Sequence, residues 1–185
     1  MTYGFKRSHR NDAHYDLARE AGRQLKNGNL LKRSRNEREF EQAIVATLES
    51  SPELAKNLIT QVGEREVDKV TQAHLFGFKH RPDIAIGNDG TAIEIKAVTR
   101  GYAVRDLIGQ AFMYRVHYRF VLLVLVDQTP DRQIVQCCSD PESPEHRLLQ
   151  DLSENLCIFS IVGPQDHGKN IVFLPKAEEP TSEAA

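Results

Sequence analysis

The sequence predicts a mixed α/β fold, a mixed sheet flanked by helices, and three observations lead there. Apolar residues recur at helical spacing at Phe40, Ala43, Ile44, Thr47 and Leu48. The period then falls to near two between Arg81 and Val98. Finally, Arg119 to Val126 (RFVLLVLV) is apolar on both sides, as a covered central strand would be.

Taken in order, Asp12 to Asn27 reads as a helix, with Asn11 or Asp12 able to cap its start and Gly28 placed to end it. Asn36 and Glu39 have the spacing of a capping box and open a second helix, which carries the Phe40 to Leu48 face. Ser51-Pro52 supplies a cap and a first-turn proline for a third, running to about Thr60. Arg65–Gln72, Arg81–Ile86 and Thr91–Val98 then read as strands. Gly87-Asn88-Asp89-Gly90 joins the last two as a tight turn, using residue types that tolerate positive φ. Ala103 to His117 is helical, with Val104, Leu107, Ile108, Ala111 and Phe112 as its stripe. After the apolar strand, Thr129-Pro130 and Pro141 to Pro144 mark loops, and Glu145 to Asn155 reads as a helix. Cys157–Val162 and Ile171–Leu174 read as late strands, and Glu178 to Ala185 (EEPTSEAA) as a disordered tail.

A chain of 185 residues can bury roughly 70% of its unfolded surface, so it needs no disulfide or metal staple. With 40% hydrophobic and 27% charged residues, it is neither collagenous nor wholly disordered. Its longest apolar run, Phe120 to Val126, has seven residues against the roughly 18 a membrane helix needs. The first residues (MTYGFKRSHRNDAHYD) contain no apolar signal core, so the expectation is a cytoplasmic protein with no membrane partner. Cys137, Cys138 and Cys157 are too few for a disulfide framework or a zinc site, and the histidines have no ligand spacing. Reduced structural thiols and no organic cofactor are expected.

Charge is unevenly placed. Residues 1–40 carry ten Lys/Arg, among them Arg33 and Arg35, against five acids, a net of +5, which leaves −7 for the remaining 145 residues. Such asymmetry suits a basic arm tracking phosphates, and equally a solvated basic helix.

Chemistry concentrates on one hairpin. Glu94 and Lys96 lie two apart on one strand and so point to the same face, about 6.6 Å apart along it. Asp83 lies on the strand before. If it faces the same way, two carboxylates and an ammonium share a surface, an oxygen-rich acidic site that suits Mg²⁺. Lys96 could orient a water or stabilise charge on a phosphate. These parts fit metal-assisted phosphodiester hydrolysis. An acid-x-Lys triplet alone carries little weight, since 26 acids and nine lysines in 185 residues give about one by chance. The alternative is a surface hairpin whose Glu94 and Lys96 pair with neighbouring charges.

Pro82-Asp83 (RPDIAI), ten intervening residues, and Glu94-Ile95-Lys96 (AIEIKAV) together resemble the signature of the PD-(D/E)xK nuclease superfamily, matching all four motif letters. The element order from Glu37 to Val126 is similar to that superfamily's αβββαβ core, apart from the extra helix after Pro52. The resemblance implies a restriction-endonuclease-like fold. It also implies Asp83 and Glu94 as ligands of Mg²⁺ or Mn²⁺, the Ile95 carbonyl as a further ligand, and Lys96 as the residue assisting the attacking water. Phe40-Glu41 is similar to a Phe-Glu pair on the helix before the sheet, which points to Glu41, with Glu37 one turn earlier as its rival. Gln110-x-x-x-Tyr114 resembles an element of the RecB-type exonuclease branch, and its i, i+4 spacing puts both side chains on one helix face. The Gly-His-x-x-Asp element of that branch is absent.

The resulting expectation is a metal-dependent nuclease acting on DNA, with a homodimer as one way of cutting both strands. Residues 1–35 would form a basic helical segment, 36–176 the nuclease-like domain and 177–185 a tail. Arg33, Arg35, Arg81, Arg100 and Arg105 are the candidate backbone contacts, with His74 and His80 flanking the Asp83 strand. A catalytically inactive nucleic-acid-binding module on the same fold is the rival, and an interaction subunit without nucleic acid a third reading.

Overall fold

Six of the strands run side by side in one sheet, and what orders them is how each is covered. The computed structural model describes residues 4–8, 10, 12–27, 37–60, 73–164 and 168–175. Along the chain these form α1 (Ala13–Asn27), α2 (Glu37–Glu49), α3 (Pro52–Asn57), β1 (Leu58–Thr60), β2 (Ala73–Leu75), β3 (Phe78–His80), β4 (Ile84–Ile86) and β5 (Thr91–Val98). There follow α4 (Gly101–Arg115), β6 (Phe120–Asp127), α5 (Gln133–Ser139), α6 (Pro144–Leu156), β7 (Ile158–Pro164) and β8 (Ile171–Phe173).

The sheet order is β1-β4-β5-β6-β7-β8. β5, β6 and β7 are parallel, and the outer pairings β1/β4, β4/β5 and β7/β8 are antiparallel. Parallel neighbours need crossover connections, supplied by α4 between β5 and β6 and by α5 with α6 between β6 and β7. All eight residues of β6 are buried, because helices cover both of its faces.

Alternation along the strands sorts the core into two layers. Ile84, Ile86, Ile93, Ile95, Phe120, Leu122, Val124 and Val126 pack beneath α1, α2 and α3. Ala85, Ala92, Val98, Val121, Leu123 and Leu125 pack beneath α4, α5 and α6. α1 lies within the basic N-terminal segment, and its Tyr15, Leu17, Ala18, Ala21 and Leu25 belong to the first layer. The three thiols are unpaired, and burial pushes the Cys138 thiol up to about 12.

Several expectations need correction. The third helix stops at Asn57 rather than Thr60, because Leu58, Ile59 and Thr60 pair with Ile86, Ala85 and Ile84 as an edge strand. The Arg81–Ile86 strand begins its ladder only at Ile84. Besides the edge strand β1, two features were not anticipated. One is the β2–β3 hairpin, which forms a sheet of its own. The other is α5, whose N-cap Arg132 makes no side-chain cap hydrogen bond. The Arg65–Gln72 strand, the Asn36 capping residue and the 177–185 tail lie outside the described residues. Among the described residues, no helix is long and apolar enough to cross a membrane.

Candidate active site

The site forms where the β4–β5 ladder runs out. Ile84 pairs with Ile93. Continuing that register by one residue sets Asp83 opposite Glu94, and by two sets Pro82 opposite Ile95. Proline has no N–H to return to Ile95, so the ladder cannot continue there. Instead the Ile95 N–H donates to Asp83 Oδ2 at 2.8 Å. Ladder bonds lie within a sheet, so the Asp83 carboxylate sits near the plane of the sheet at its open end, within influence of groups on either face.

Glu94 projects toward the α4 layer, because its even-numbered neighbours Ala92 and Val98 lie there. Lys96 shares that side by the same alternation. Glu94 is only 7% exposed. The Tyr114 hydroxyl on α4 lies 3.0 Å from Glu94 Oε2 and 2.9 Å from the Arg81 carbonyl oxygen. Burial, and then the Asp83 charge, raise the Glu94 pKa to about 8, against the opposing influence of Tyr114 and Lys96. A hydroxyl has one hydrogen for these two acceptors. The hydroxyl therefore divides its hydrogen between the Glu94 carboxyl and the Arg81 carbonyl, and its donation to Glu94 opposes the rise of that pKa.

Glu41 approaches from α2, on the other layer. Burial, followed by the Asp83 charge, raises its pKa to about 7, while Arg38 opposes the rise. Its Oε1 is buried without a hydrogen-bond partner among the described residues. Asp83 thus perturbs a carboxylate on each side of the sheet. The rival Glu37 opens α2, but its side chain lies outside the described set.

Asp83, Glu94 and Glu41, the last with a buried oxygen that has no hydrogen-bond partner among the described residues, are each of the oxygen-donor type that a hard divalent cation takes. The arrangement is not already closed around one. Among the described residues, no three His, Cys, Asp or Glu side chains are grouped so as to hold a metal ion. Asp83 is engaged by the Ile95 N–H and Glu94 by Tyr114.

The remaining candidates divide. Tyr114 is at the site, and Gln110 is half-buried one turn earlier on α4. Arg81 touches the site through its backbone carbonyl, a role its side-chain chemistry did not announce. Arg100 and Arg105 are exposed, Arg100 as the N-cap of α4 and Arg105 beside Asp106 at 3.8 Å. Arg33 and Arg35 lie outside the described residues. Several other basic residues of the N-terminal segment are engaged within the fold. Lys6 pairs with Asp89, Arg10 donates to the Glu154 carbonyl, Arg19 lies over the Tyr15 ring and Arg23 pairs with Glu20.

No protein-family model, curated protein or solved structure matches this chain.

Proposed function

We propose that this chain is a metal-dependent nuclease acting on DNA. The observation that carries the reading is the meeting of Asp83 with Glu94 at the end of the β4–β5 ladder, with Glu41 within electrostatic reach and Lys96 two residues on. Burial, and then the Asp83 charge, raise the pKa values of Glu41 and Glu94 to about 7 and 8, and such perturbed groups concentrate at functional sites. The fold reading goes with it: with α3 and the β2–β3 hairpin as additions, and with β1 in place of the expected Arg65–Gln72 strand, α2, β1, β4, β5, α4 and β6 come in the order αβββαβ, and their four strands are neighbours in the sheet, β1-β4-β5-β6.

Asp83, Glu94 and the Ile95 carbonyl would hold Mg²⁺ or Mn²⁺. Such an ion supplies Lewis acidity toward a phosphoryl oxygen and a bound water of lowered pKa. Lys96 would orient the attacking water or stabilise charge on the phosphate. Tyr114 holds the Glu94 carboxyl in place. Glu41, with a pKa raised to about 7, can take up or release a proton near neutral pH.

The test is incubation of the purified chain with linear, nicked, branched and single-stranded DNA, and with RNA, in Mg²⁺, Mn²⁺ or EDTA. Cleavage of DNA is expected with metal and not in EDTA. Asp83→Ala, Glu94→Ala and Lys96→Ala should each abolish it while the far-UV spectrum stays native. Retained cleavage in any of them removes that residue from the mechanism.

One observation favours a second reading, an inactive nucleic-acid-binding module: both hairpin acids are engaged by protein groups, and among the described residues no three-ligand grouping stands ready. DNA binding that survives both EDTA and Mg²⁺ with no cleavage of any substrate would select it.

A further inference from the structure

The β2–β3 hairpin leads straight into the site. Ala73, His74 and Leu75 pair with His80, Lys79 and Phe78, which leaves Phe76-Gly77 as a two-residue turn. Both turn residues have positive φ, 54° and 81°. That is the signature of a type I′ turn, whose first position favours Asn, Asp or Gly and where a bulky aromatic residue is an outlier. The Phe76 ring is 86% exposed and that of Phe78 70% exposed. Folding therefore gains little from either ring, and the Phe76 backbone is strained to carry one. Strain retained without a packing return points to a use outside the fold.

The composition of the hairpin says what that use is. Ala73 to Arg81 contains no acid, and His74, Lys79, His80 and Arg81 accompany the two rings. His74 and Lys79 face each other across the hairpin and are both exposed. Aromatic faces beside the Lys79 and Arg81 cations match a single nucleic-acid strand, whose bases stack on the rings while its phosphates meet the cations. Within a continuous duplex the bases are already stacked on one another. The root of the hairpin is fixed, because Ala73 is buried in the α4 layer and the Arg81 carbonyl accepts from Tyr114. Phe78 precedes Asp83 by five residues, at most about 17 Å of extended chain.

We propose that Phe76 and Phe78 at the tip of the β2–β3 hairpin stack on unpaired DNA bases, so that the site beside them takes single-stranded or frayed DNA rather than continuous duplex. This names the substrate of the nuclease proposed above and rests on that reading for its chemistry only; the stacking itself needs no cleavage.

The experiment therefore measures binding without turnover. The full chain in EDTA is titrated into a single-stranded oligonucleotide carrying 2-aminopurine and into a duplex of the same length, following anisotropy and 2-aminopurine fluorescence. Tighter binding to the single strand is expected, with the base fluorescence quenched by stacking. Phe76→Asn restores a favoured turn residue, so its melting temperature should equal or exceed that of the parent. Its single-strand affinity should nonetheless fall roughly fivefold or more, with quenching diminished. Phe78→Ser should act in the same direction. Equal affinity for duplex and single strand, or full quenching in Phe76→Asn, overturns the stacking. If that happens while the parent still cuts DNA in Mn²⁺, the nuclease reading stands without it. Quenching that depends on Phe76 in a protein that cuts nothing keeps the stacking and removes the nuclease.

Discussion

The Tyr114 hydroxyl, carried by α4, lies 3.0 Å from Oε2 of Glu94, a carboxyl buried at the centre of β5. This bond favours the carboxylate form and so restrains a pKa that burial and Asp83 drive up to about 8. Tyr114→Phe should let the Glu94 pKa rise further. The rising limb of a pH profile of metal-dependent cleavage should then move to higher pH, and the fold should lose about 1 kcal/mol because the Arg81 carbonyl loses its donor. An unchanged profile would show that the hydroxyl does not act on Glu94.

Stability should fall as pH rises from about 4.5 to 8. Glu41 and Glu94 titrate in the folded protein near 7 and 8, both above their ordinary value of 4.5. Across that window the unfolded chain has released these protons while the folded protein still holds them, so deprotonation favours unfolding. Asp83 faces both groups, Tyr114 and Lys96 face Glu94, and Arg38 faces Glu41. Glu94→Gln keeps a neutral partner for Tyr114 and removes the ionisation. It should therefore stabilise the protein by about 2 kcal/mol at pH 8 relative to the parent and by much less at pH 5. Thermal melts at the two pH values measure this, and a gain independent of pH would contradict it.

Asp83→Asn separates charge from structure. The amide oxygen can still accept from the Ile95 N–H, so the melting temperature should hold or rise. Without the negative charge, Glu41 and Glu94 should titrate closer to 4.5, and the decline in stability toward pH 8 should flatten. Cleavage should nevertheless drop by about a hundredfold or more, since a metal ligand is lost. Full cleavage in this variant would exclude Asp83 as a ligand.

Arg115 is a structural cation. It is 3% exposed in the last turn of α4, its Nε donates to the Leu156 carbonyl at 2.8 Å and its Nη1 to the Tyr118 carbonyl. Nη2 reaches the Lys6 carbonyl at 3.1 Å, and the guanidinium lies over the Phe5 ring. Arg115→Ala strands several buried acceptors and should cost about 3 kcal/mol in urea unfolding. A loss under about 1 kcal/mol would mean that water replaces it.

Where local pattern and tertiary environment agree, the sequence was readable. β5 falls at Thr91–Val98 as expected, because a strict alternation had one register that hides Ile93 and Ile95. β6 is displaced by one residue at each end. The failures arise where a distant partner decides. Leu58, Ile59 and Thr60 continue a helical stretch in sequence, yet they become an edge strand because β4 offers a ladder. The β2–β3 turn escaped notice because Phe76-Gly77 lacks the usual first residue of its turn type. Nothing in the local sequence marks Arg115, since its acceptors come from Lys6, Tyr118 and Leu156. At the site, Asp83, Glu94 and Lys96 could be singled out from spacing and Tyr114 from resemblance. The raised pKa of Glu94 could not, because it depends on burial.

Diffraction from crystals soaked in Mn²⁺, recorded at the manganese absorption edge, tests the central claim most directly. The account predicts one anomalous peak touching the carboxylates of Asp83 and Glu94 and the Ile95 carbonyl, with Glu41 nearby and Asp83 drawn off the Ile95 N–H. Density showing Asp83 still on that N–H and Glu94 still on Tyr114, with no manganese between them, would contradict it.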